Sequence, residues 1–223
     1  MKVSDALEKR RSIRAFQSRP VPSDLLTSVF TNAARSPSGG NVQPWKIVIL
    51  NEDRLTKFVK LMEERLSGTP IEGGESPEYE VYPPKLQEPY RTARFNVGEQ
   101  MYGLLEIERE NKAKRLEWFA NNFRFFGAPA AAFCFVERNM GPPQWSDLGM
   151  FLQSAMLLFQ EHGLDTCAQE CWSMYPRTVS EFCGTPDEWM LFCGMAIGYA
   201  DQDHPVNALR TERLETKDWL KVL

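Results

Sequence analysis

Residues 36–45 constrain the fold most strongly, because they form a loop that cannot be helical and leads directly into a strand. They read Ser-Pro-Ser-Gly-Gly-Asn-Val-Gln-Pro-Trp. Pro37 lacks a backbone donor, the glycine pair permits positive φ, and Pro44 favours an extended residue before it. Residues 46–50 continue as Lys-Ile-Val-Ile-Leu, a β-branched apolar run typical of a strand. The stretch therefore predicts a small-residue loop before a strand.

The polar side chains of this loop are suited to a planar ligand. Ser38, Asn41 and Gln43 carry one hydroxyl and two amides close to exposed backbone N–H groups. Such a loop can lie against a heteroatom-rich ring and hydrogen-bond to its edge. The alternative is an ordinary helix–strand connection, in which serine, glycine, asparagine and proline are common.

A basic run near the N-terminus offers a site for an anion. Residues 10–14 read Arg-Arg-Ser-Ile-Arg, with Lys9 before them and Arg19 after them. Each guanidinium donates in a planar fork, and a charge-assisted hydrogen bond is worth roughly 1.5–3 kcal/mol, so the run suits a phosphate. The alternative is a solvated basic turn, because runs of surface charge are common.

The overall composition excludes several classes of function. The chain has 223 residues with 43% hydrophobic content, enough for one large domain or two small ones, and a net charge of −4 gives no electrostatic case for nucleic acid. Residues 148–160, the longest apolar-rich run without charge, are too short to span a bilayer. The N-terminus lacks the apolar core of a signal peptide, so we expect a cytoplasmic protein.

The cysteine and histidine content argues against a disulfide framework and against zinc. Five cysteines is an odd number without a CxxC pair, which predicts reduced thiols. The chain has two histidines and no HExxH motif, so we expect no metal site. Cys167 and Cys171 lie four apart and could form a redox pair, but burial as small apolar residues is favoured.

Apolar periodicity predicts alternating helices and strands, with irregular structure over residues 68–89. The most apolar helix, residues 146–162, has apolar residues nearly all round it, so we expect a second subunit to cover part of it. The charged tail from residue 199 carries apolar residues that would be stranded on one chain, so we expect it to wrap a neighbour. The predicted helices are 4–10, 23–34, 52–67, 90–109, 111–126, 146–162 and 176–183, and the predicted strands are 46–50, 130–136 and 190–198.

The common catalytic motifs are absent. The sequence contains no GxGxxG, no GxxxxGK[ST] and no GxSxG, and two histidines leave little room for a Ser/His/Asp triad. The chemistry is therefore expected to belong to a bound cofactor.

Four segments, taken in order, resemble the FMN-dependent nitroreductase family. Residues 10–14 resemble its opening signature, and residues 36–45 resemble its second. Gly-Leu-Asp-Thr-Cys-Ala-Gln-Glu at residues 163–170 resembles its third, and Arg213 resembles its final basic element. The four segments span nearly the whole chain. A cysteine at position 171, where some members have glycine, and a long insertion depart from the family pattern.

The resemblance implies a single α+β domain over residues 1–223, with a mixed, mainly antiparallel sheet flanked by helices and an interlocked homodimer. This domain would include a helical and loop insertion over residues of about 68–126 and a C-terminal arm over about 200–223 that embraces the partner subunit. The resemblance also implies the FMN contacts. The phosphate and ribityl chain would be held by Arg10, Arg11, Ser12 and Arg14, with Arg213 completing the phosphate site. The flavin ring would be contacted by Pro37, Ser38, Asn41 and Gln43 of the partner subunit, and its N5 and O4 edge by the backbone of Ala168, Gln169, Glu170 and Cys171.

The implied activity is an NAD(P)H-dependent reductase. NADH or NADPH gives a hydride to flavin N5, and a small nitroaromatic or quinone-like acceptor is then reduced in a ping-pong sequence, with no catalytic side chain required. Alternatives on the same fold are reductive dehalogenation, enone reduction or flavin breakdown. Two further alternatives are a flavin-sequestering protein without catalysis and a scaffold without flavin.

Replacing both Arg10 and Arg11 with alanine is expected to abolish FMN retention, because the phosphate would lose its charge-assisted donors. Flavin fluorescence of the purified variant measures retention. Unchanged FMN affinity would reject the phosphate assignment.

Overall fold

The computed structural model describes residues 1–68 and 74–223, and its helices and strands follow the apolar patterns of the sequence. The helices are α1 (Val3–Lys9), α2 (Ser23–Ala33), α3 (Glu52–Gly68), α4 (Tyr90–Leu104), α5 (Lys112–Ala120), α6 (Pro142–Glu161) and α7 (Pro176–Cys183). The strands are β1 (Lys46–Asn51), β2 (Ala130–Glu137), β3 (Asp165–Gln169) and β4 (Trp189–Gly198). Short 3-10 turns are Gly39–Asn41, Asn121–Gly127, Glu170–Met174, Pro205–Ala208 and Thr216–Asp218.

The four strands form one sheet in the order β1-β2-β4-β3, and each neighbouring pair is antiparallel. Two isolated bridges extend it. Ser12 pairs in parallel with Thr166, and Phe16 pairs antiparallel with Ala200. The predicted α+β class with a mixed, mainly antiparallel sheet is confirmed.

Strand β2 is buried on both faces, and its side chains alternate between two apolar clusters. Ala130, Ala132, Cys134 and Val136 pack with α2 and α6, whereas Ala131, Phe133 and Phe135 pack with α3 and α7. The molecule is thus layered as helices, sheet, helices. The continuous apolar runs of β2 and β4 follow from this, since neither face of these strands meets water.

The segment of residues 74–79 lies against α7 and β4, and the carboxylates of Glu75 and Glu78 fix it there. Glu75 accepts hydrogen bonds from the backbone N–H of Arg177 (2.7 Å) and of Thr178 (3.1 Å), at the start of α7, and from the Arg65 guanidinium (2.8 Å). Negative charge is favourable at a helix N-terminus. Glu78 accepts from the backbone N–H of Leu191 at 3.2 Å, on the part of β4 that β3 does not pair with. This segment therefore covers the free edge of β4.

The structure differs from the predicted elements at several places. Strand β3 was not predicted, because its five residues contain no apolar run, and α4 ends at Leu104, five residues before the predicted end. Helix α6 begins at Pro142, four residues before the predicted start, because two prolines occupy its first turn, where no backbone donor is needed. Residues 121–127 form a 3-10 turn instead of the end of a helix, since Phe125 and Phe126 adopt φ of 49° and 55°. Pro70 and Gly73, inside the predicted insertion, lie outside the described residues.

The aromatic residues of this turn belong to the core. Phe123 and Phe125 are fully buried with Trp172, and the Phe125 and Trp172 rings lie 4.7 Å apart. A Cβ added at Gly194 of β4 would lie 2.3 Å from the Trp172 ring, so only glycine fits under it. Core packing therefore accounts for these rings without a ligand.

Two apolar surfaces remain uncovered on the single chain. Met150 on α6 is 40% exposed, and Met156, Leu157 and Leu158 on the same helix are half-buried. Every residue from 210 onward is exposed, and Trp219 is 65% exposed.

All five cysteines are free thiols, as predicted. Among residues 1–68 and 74–223, no helix combines the length and the apolar character that a membrane crossing requires.

Candidate functional site

The basic run forms one wall of a cavity beside the edge strand β3. After α1 the backbone is extended, and the N–H of Ile13 donates to the Thr166 carbonyl at 3.0 Å. Ile13 is fully buried, and extended backbone alternates its side chains, so Ser12 and Arg14 face the opposite side. The cavity holds about 360 Å³, and its lining is Leu7, Glu8, Arg10, Arg11, Ser12, Arg14, Leu209, Arg210, Thr211 and Arg213.

The cavity is strongly positive. Burial and the nearby Arg213 guanidinium lower the pKa of Arg10, which shows that the two cations repel each other across it. The other polar contacts are neutral: Arg11 donates to the Gln202 amide at 3.3 Å, and Arg213 donates to the Thr211 hydroxyl at 2.8 Å. Within the described ranges, no carboxylate forms an ion pair with Arg10, Arg11, Arg14 or Arg213. An anion in the cavity would offset this repulsion.

Residues 165–171 lie beside the basic run. Ser12 forms a bridge with Thr166 of β3. Burial raises the pKa of the Cys167 thiol, whereas the charges of Arg14 and Arg10 and a hydrogen bond with the Ser12 side chain oppose that rise. Ala168 is exposed at the end of β3. The first, third and fourth predicted segments thus meet at one place on the chain.

Gln169 offers a ligand its backbone only. Its side chain is buried, where Nε2 donates to the Asn122 carbonyl at 2.8 Å and Oε1 accepts from Trp172 Nε1 at 3.5 Å. Glu170 follows as an exposed residue, yet partial desolvation of its carboxyl raises its pKa. The role of the backbone of residues 168–171 as contacts for the flavin stays a prediction.

The loop of residues 36–45 is held in a strained shape. Gly40 has φ of 57°, and the non-glycine residues Asn41 and Gln43 have φ of 57° and 50°. The Ser38 hydroxyl accepts a hydrogen bond from the Gln43 N–H at 3.0 Å. Left-handed conformations of non-glycine residues are uncommon and cluster at ligand clamps. Asn41 and Gln43 are exposed, so this part of the loop faces outward.

Helix α6 anchors the loop through residues that the sequence analysis did not select. The Gly39 N–H lies 3.3 Å from both oxygens of Asp147, which is only 5% exposed. The Ser36 and Ser154 hydroxyls are 2.8 Å apart. Asp147 and Ser154 are seven residues apart, so they lie two turns apart on one helix face. In the sequence, an aspartate beside the apolar run of α6 was the signal that could have identified Asp147 as an anchor.

The loop does not line the arginine cavity of its own chain, whose walls come from residues 7–14 and 209–213. The resemblance placed Pro37, Ser38, Asn41 and Gln43 in the partner's site, and that assignment stays a prediction. Among the described residues, no three His, Cys, Asp or Glu side chains form a group suited to a metal ion.

The fold and site define a three-layered α+β protein with an anion cavity at its sheet edge. Residues 7–199 match the model of the nitroreductase family. A relative is the chloronitrobenzene nitroreductase of Comamonas testosteroni, which is 32% identical over 97% of this chain and 95% of its own length. The chain therefore belongs to the nitroreductase family, and the predicted family is confirmed.

Solved structures agree with the fold. The FMN and NADPH-dependent nitroreductase NfnB from Sphigopyxis sp. strain HMH is 44% identical with a TM-score of 0.95, over 100% of this chain and 99% of that one. The FMN-dependent nitroreductase NfnB from Mycobacterium smegmatis, in complex with NADPH, is 26% identical with a TM-score of 0.91 over 100% of both chains.

Replacing Asp147 with alanine is expected to weaken FMN binding about tenfold, because the strained loop loses a hydrogen bond to a charged acceptor. Asp147→Asn keeps an acceptor oxygen and is the matched control, with a change below about threefold. Flavin fluorescence titration measures both. Wild-type affinity in Asp147→Ala would show that FMN binding does not depend on the Asp147 anchor.

Proposed function

We propose that this chain is an FMN-dependent oxidoreductase that uses NAD(P)H to reduce nitroaromatic or quinone-like acceptors. The observation that carries the proposal is the arginine cavity, whose cations lack carboxylate partners among the described residues. The predicted enzyme class and cofactors are confirmed by family membership and by the FMN and NADPH of the two solved relatives.

The residues of the cavity fit a phosphate monoester. Burial and the nearby Arg213 lower the pKa of Arg10, and a phosphate, which carries about 1.5–2 negative charges, would oppose both effects. Arg10, Arg11, Arg14 and Arg213 would donate to it in planar forks, and the Ser12 hydroxyl supplies a neutral donor. We assign these residues to the FMN phosphate and ribityl chain.

The flavin ring would lie between two sets of neutral donors. Backbone groups of Ala168, Gln169, Glu170 and Cys171 adjoin the basic run, so they suit the N5 and O4 edge. In the exposed 36–45 loop of the partner, Ser38, Asn41 and Gln43 would supply donors, and Pro37 would contact the ring without donating. These donors would stabilise negative charge on the ring, and the second subunit would exclude water from it.

When bound, FMN supplies the hydride chemistry, accepting a hydride at N5 from NAD(P)H and passing it to the acceptor in a ping-pong sequence. The side chains position the ring and stabilise its charge. None of them is required as a general acid, since water can deliver protons.

Nitroaromatic compounds are the favoured acceptors. The relative from Comamonas testosteroni is named for chloronitrobenzene and covers nearly the whole chain. Quinones enter only through the family resemblance. Dehalogenation, enone reduction and flavin breakdown remain the competing reactions, and comparative turnover of nitroaromatic, halophenol and enone substrates separates them.

The proposal is tested by the visible spectrum of the purified protein during anaerobic titration with NADPH and, separately, NADH. Stoichiometric bleaching of a yellow protein is expected, because hydride transfer removes the flavin absorbance. A yellow protein that neither donor bleaches would indicate a flavin-sequestering protein. A protein that stays colourless after FMN is added would reject the site.

We also propose that the working unit is a homodimer of single-domain subunits. The exposed Met150, the half-buried Leu157 and the exposed apolar tail would be covered by a second copy, and the loop would then reach the partner's cavity. The insertion of about 68–126 and the arm of about 200–223 would extend from one nitroreductase-like domain.

Met150→Asp is expected to dissociate this dimer, because burying an unpaired charge costs about 3–5 kcal/mol. Sedimentation of the full chain measures the subunit number. Leu61→Asp on α3 is the matched control, since Leu61 is 37% exposed where Met150 is 40% exposed. A Met150→Asp protein that remains dimeric would place the interface elsewhere.

A further inference from the structure

Asn207 is a buried side chain that none of the sequence motifs includes. It lies in the 3-10 turn Pro205–Ala208 and is 3% exposed. Its Oδ1 accepts from the Arg14 N–H at 2.8 Å, and its Nδ2 donates to the carbonyls of Ala15 and Asp201, both at 2.8 Å. Both amide hydrogens and the amide oxygen therefore have partners at short distance.

These bonds join the two walls of the arginine cavity. Arg14 ends the basic run that begins at Arg10, and Asn207 stands two residues before Leu209, where the other wall begins. The two chain ends are 193 residues apart in sequence at the Arg14 contact. Val206 is 1% exposed and Leu209 is 8% exposed, so the turn carrying Asn207 is fixed in the core.

The cavity needs such a link because its own charges push the walls apart. Arg10 on one wall and Arg213 on the other repel each other. No carboxylate among the described residues pairs with either of them. Neutral hydrogen bonds from Asn207 hold the walls without adding a negative charge that would compete with a bound anion. Aspartate would keep the oxygen but place its charge against two carbonyls and lose both donors.

We propose that Asn207 is a positioning residue that sets the spacing of the arginines and thereby the preference of the site for phosphorylated flavin over riboflavin. The inference rests on the proposed function, in which the cavity holds the FMN phosphate. Asn207 itself does not line the cavity, so it acts through Arg14 and the 209–213 wall.

Gln17 provides a matched control within the same pair of segments. Its Nε2 donates to the Ala200 carbonyl at 3.0 Å, which also ties the N-terminal segment to the C-terminal one. Gln17 does not line the cavity and is not hydrogen-bonded to Arg14 in the described structure. Loss of this bond removes a tie between the chain ends without touching the wall residues.

The experiment measures the dissociation constants of FMN and of riboflavin for the full chain freed of bound flavin, by flavin fluorescence. In Asn207→Ala the FMN dissociation constant is expected to rise about tenfold, while that of riboflavin changes less than about twofold, because riboflavin lacks the phosphate that takes the charge-assisted bonds of the arginines. Gln17→Ala is expected to leave the ratio of the two constants at its wild-type value. If Asn207→Ala does not fold, Asn207→Ser is measured in the same way, and the same selective rise in the FMN dissociation constant is expected.

An equal loss of affinity for both flavins, or no loss, would overturn the role of Asn207. A general folding defect would produce the equal loss. The Arg10→Ala/Arg11→Ala variant separates this inference from the proposed function. If that variant lowers the FMN preference and Asn207→Ala does not, only the Asn207 inference fails. If the wild-type protein binds both flavins equally, the phosphate assignment fails and the inference with it.

Discussion

The pairing of β2 with β4 is the interaction on which the rest of the structure depends. The two strands are antiparallel over nearly their whole length, and both faces of β2 are buried under helices. The backbone polar groups there must find partners within the protein, because water does not reach them. The helices α2 and α6 on one face and α3 and α7 on the other take their positions from the alternating side chains of these strands.

The proposed site residues lie where this paired core ends. Strand β3 is an edge strand, and its outer side receives the basic run through the Ser12 bridge and the Ile13 hydrogen bond. The C-terminal segment returns to the same edge through Asn207. An edge strand is the place where further chain can pair with the sheet, so the cavity forms from both ends of the chain.

Stability and binding oppose each other at this cavity. Burial and the like charge of Arg213 lower the pKa of Arg10, and no carboxylate among the described residues pairs with these arginines, so holding their charges close together has a cost. The loop anchored on α6 also carries a local cost, since the exposed residues Asn41 and Gln43 have unfavourable positive φ angles. Both features are held by neutral or buried anchors, Asn207 for the cavity and Asp147 for the loop. Such local costs are expected where a site is kept ready for a ligand.

The sequence by itself determined the apolar runs of β2 and β4, the amphipathic stripes of the helices and the non-helical loop at residues 36–45. These depend on local periodicity and on proline and glycine, so they can be identified without tertiary contacts. The meeting of residues 10–14 with Arg213 was implied only by the family resemblance, because nothing local links segments so far apart. Only the tertiary structure decided that Asn207 and Asp147 are anchors and that Phe125 and Trp172 are core. A lone asparagine or aspartate has no periodic pattern, and its role depends on the distant groups that folding brings beside it.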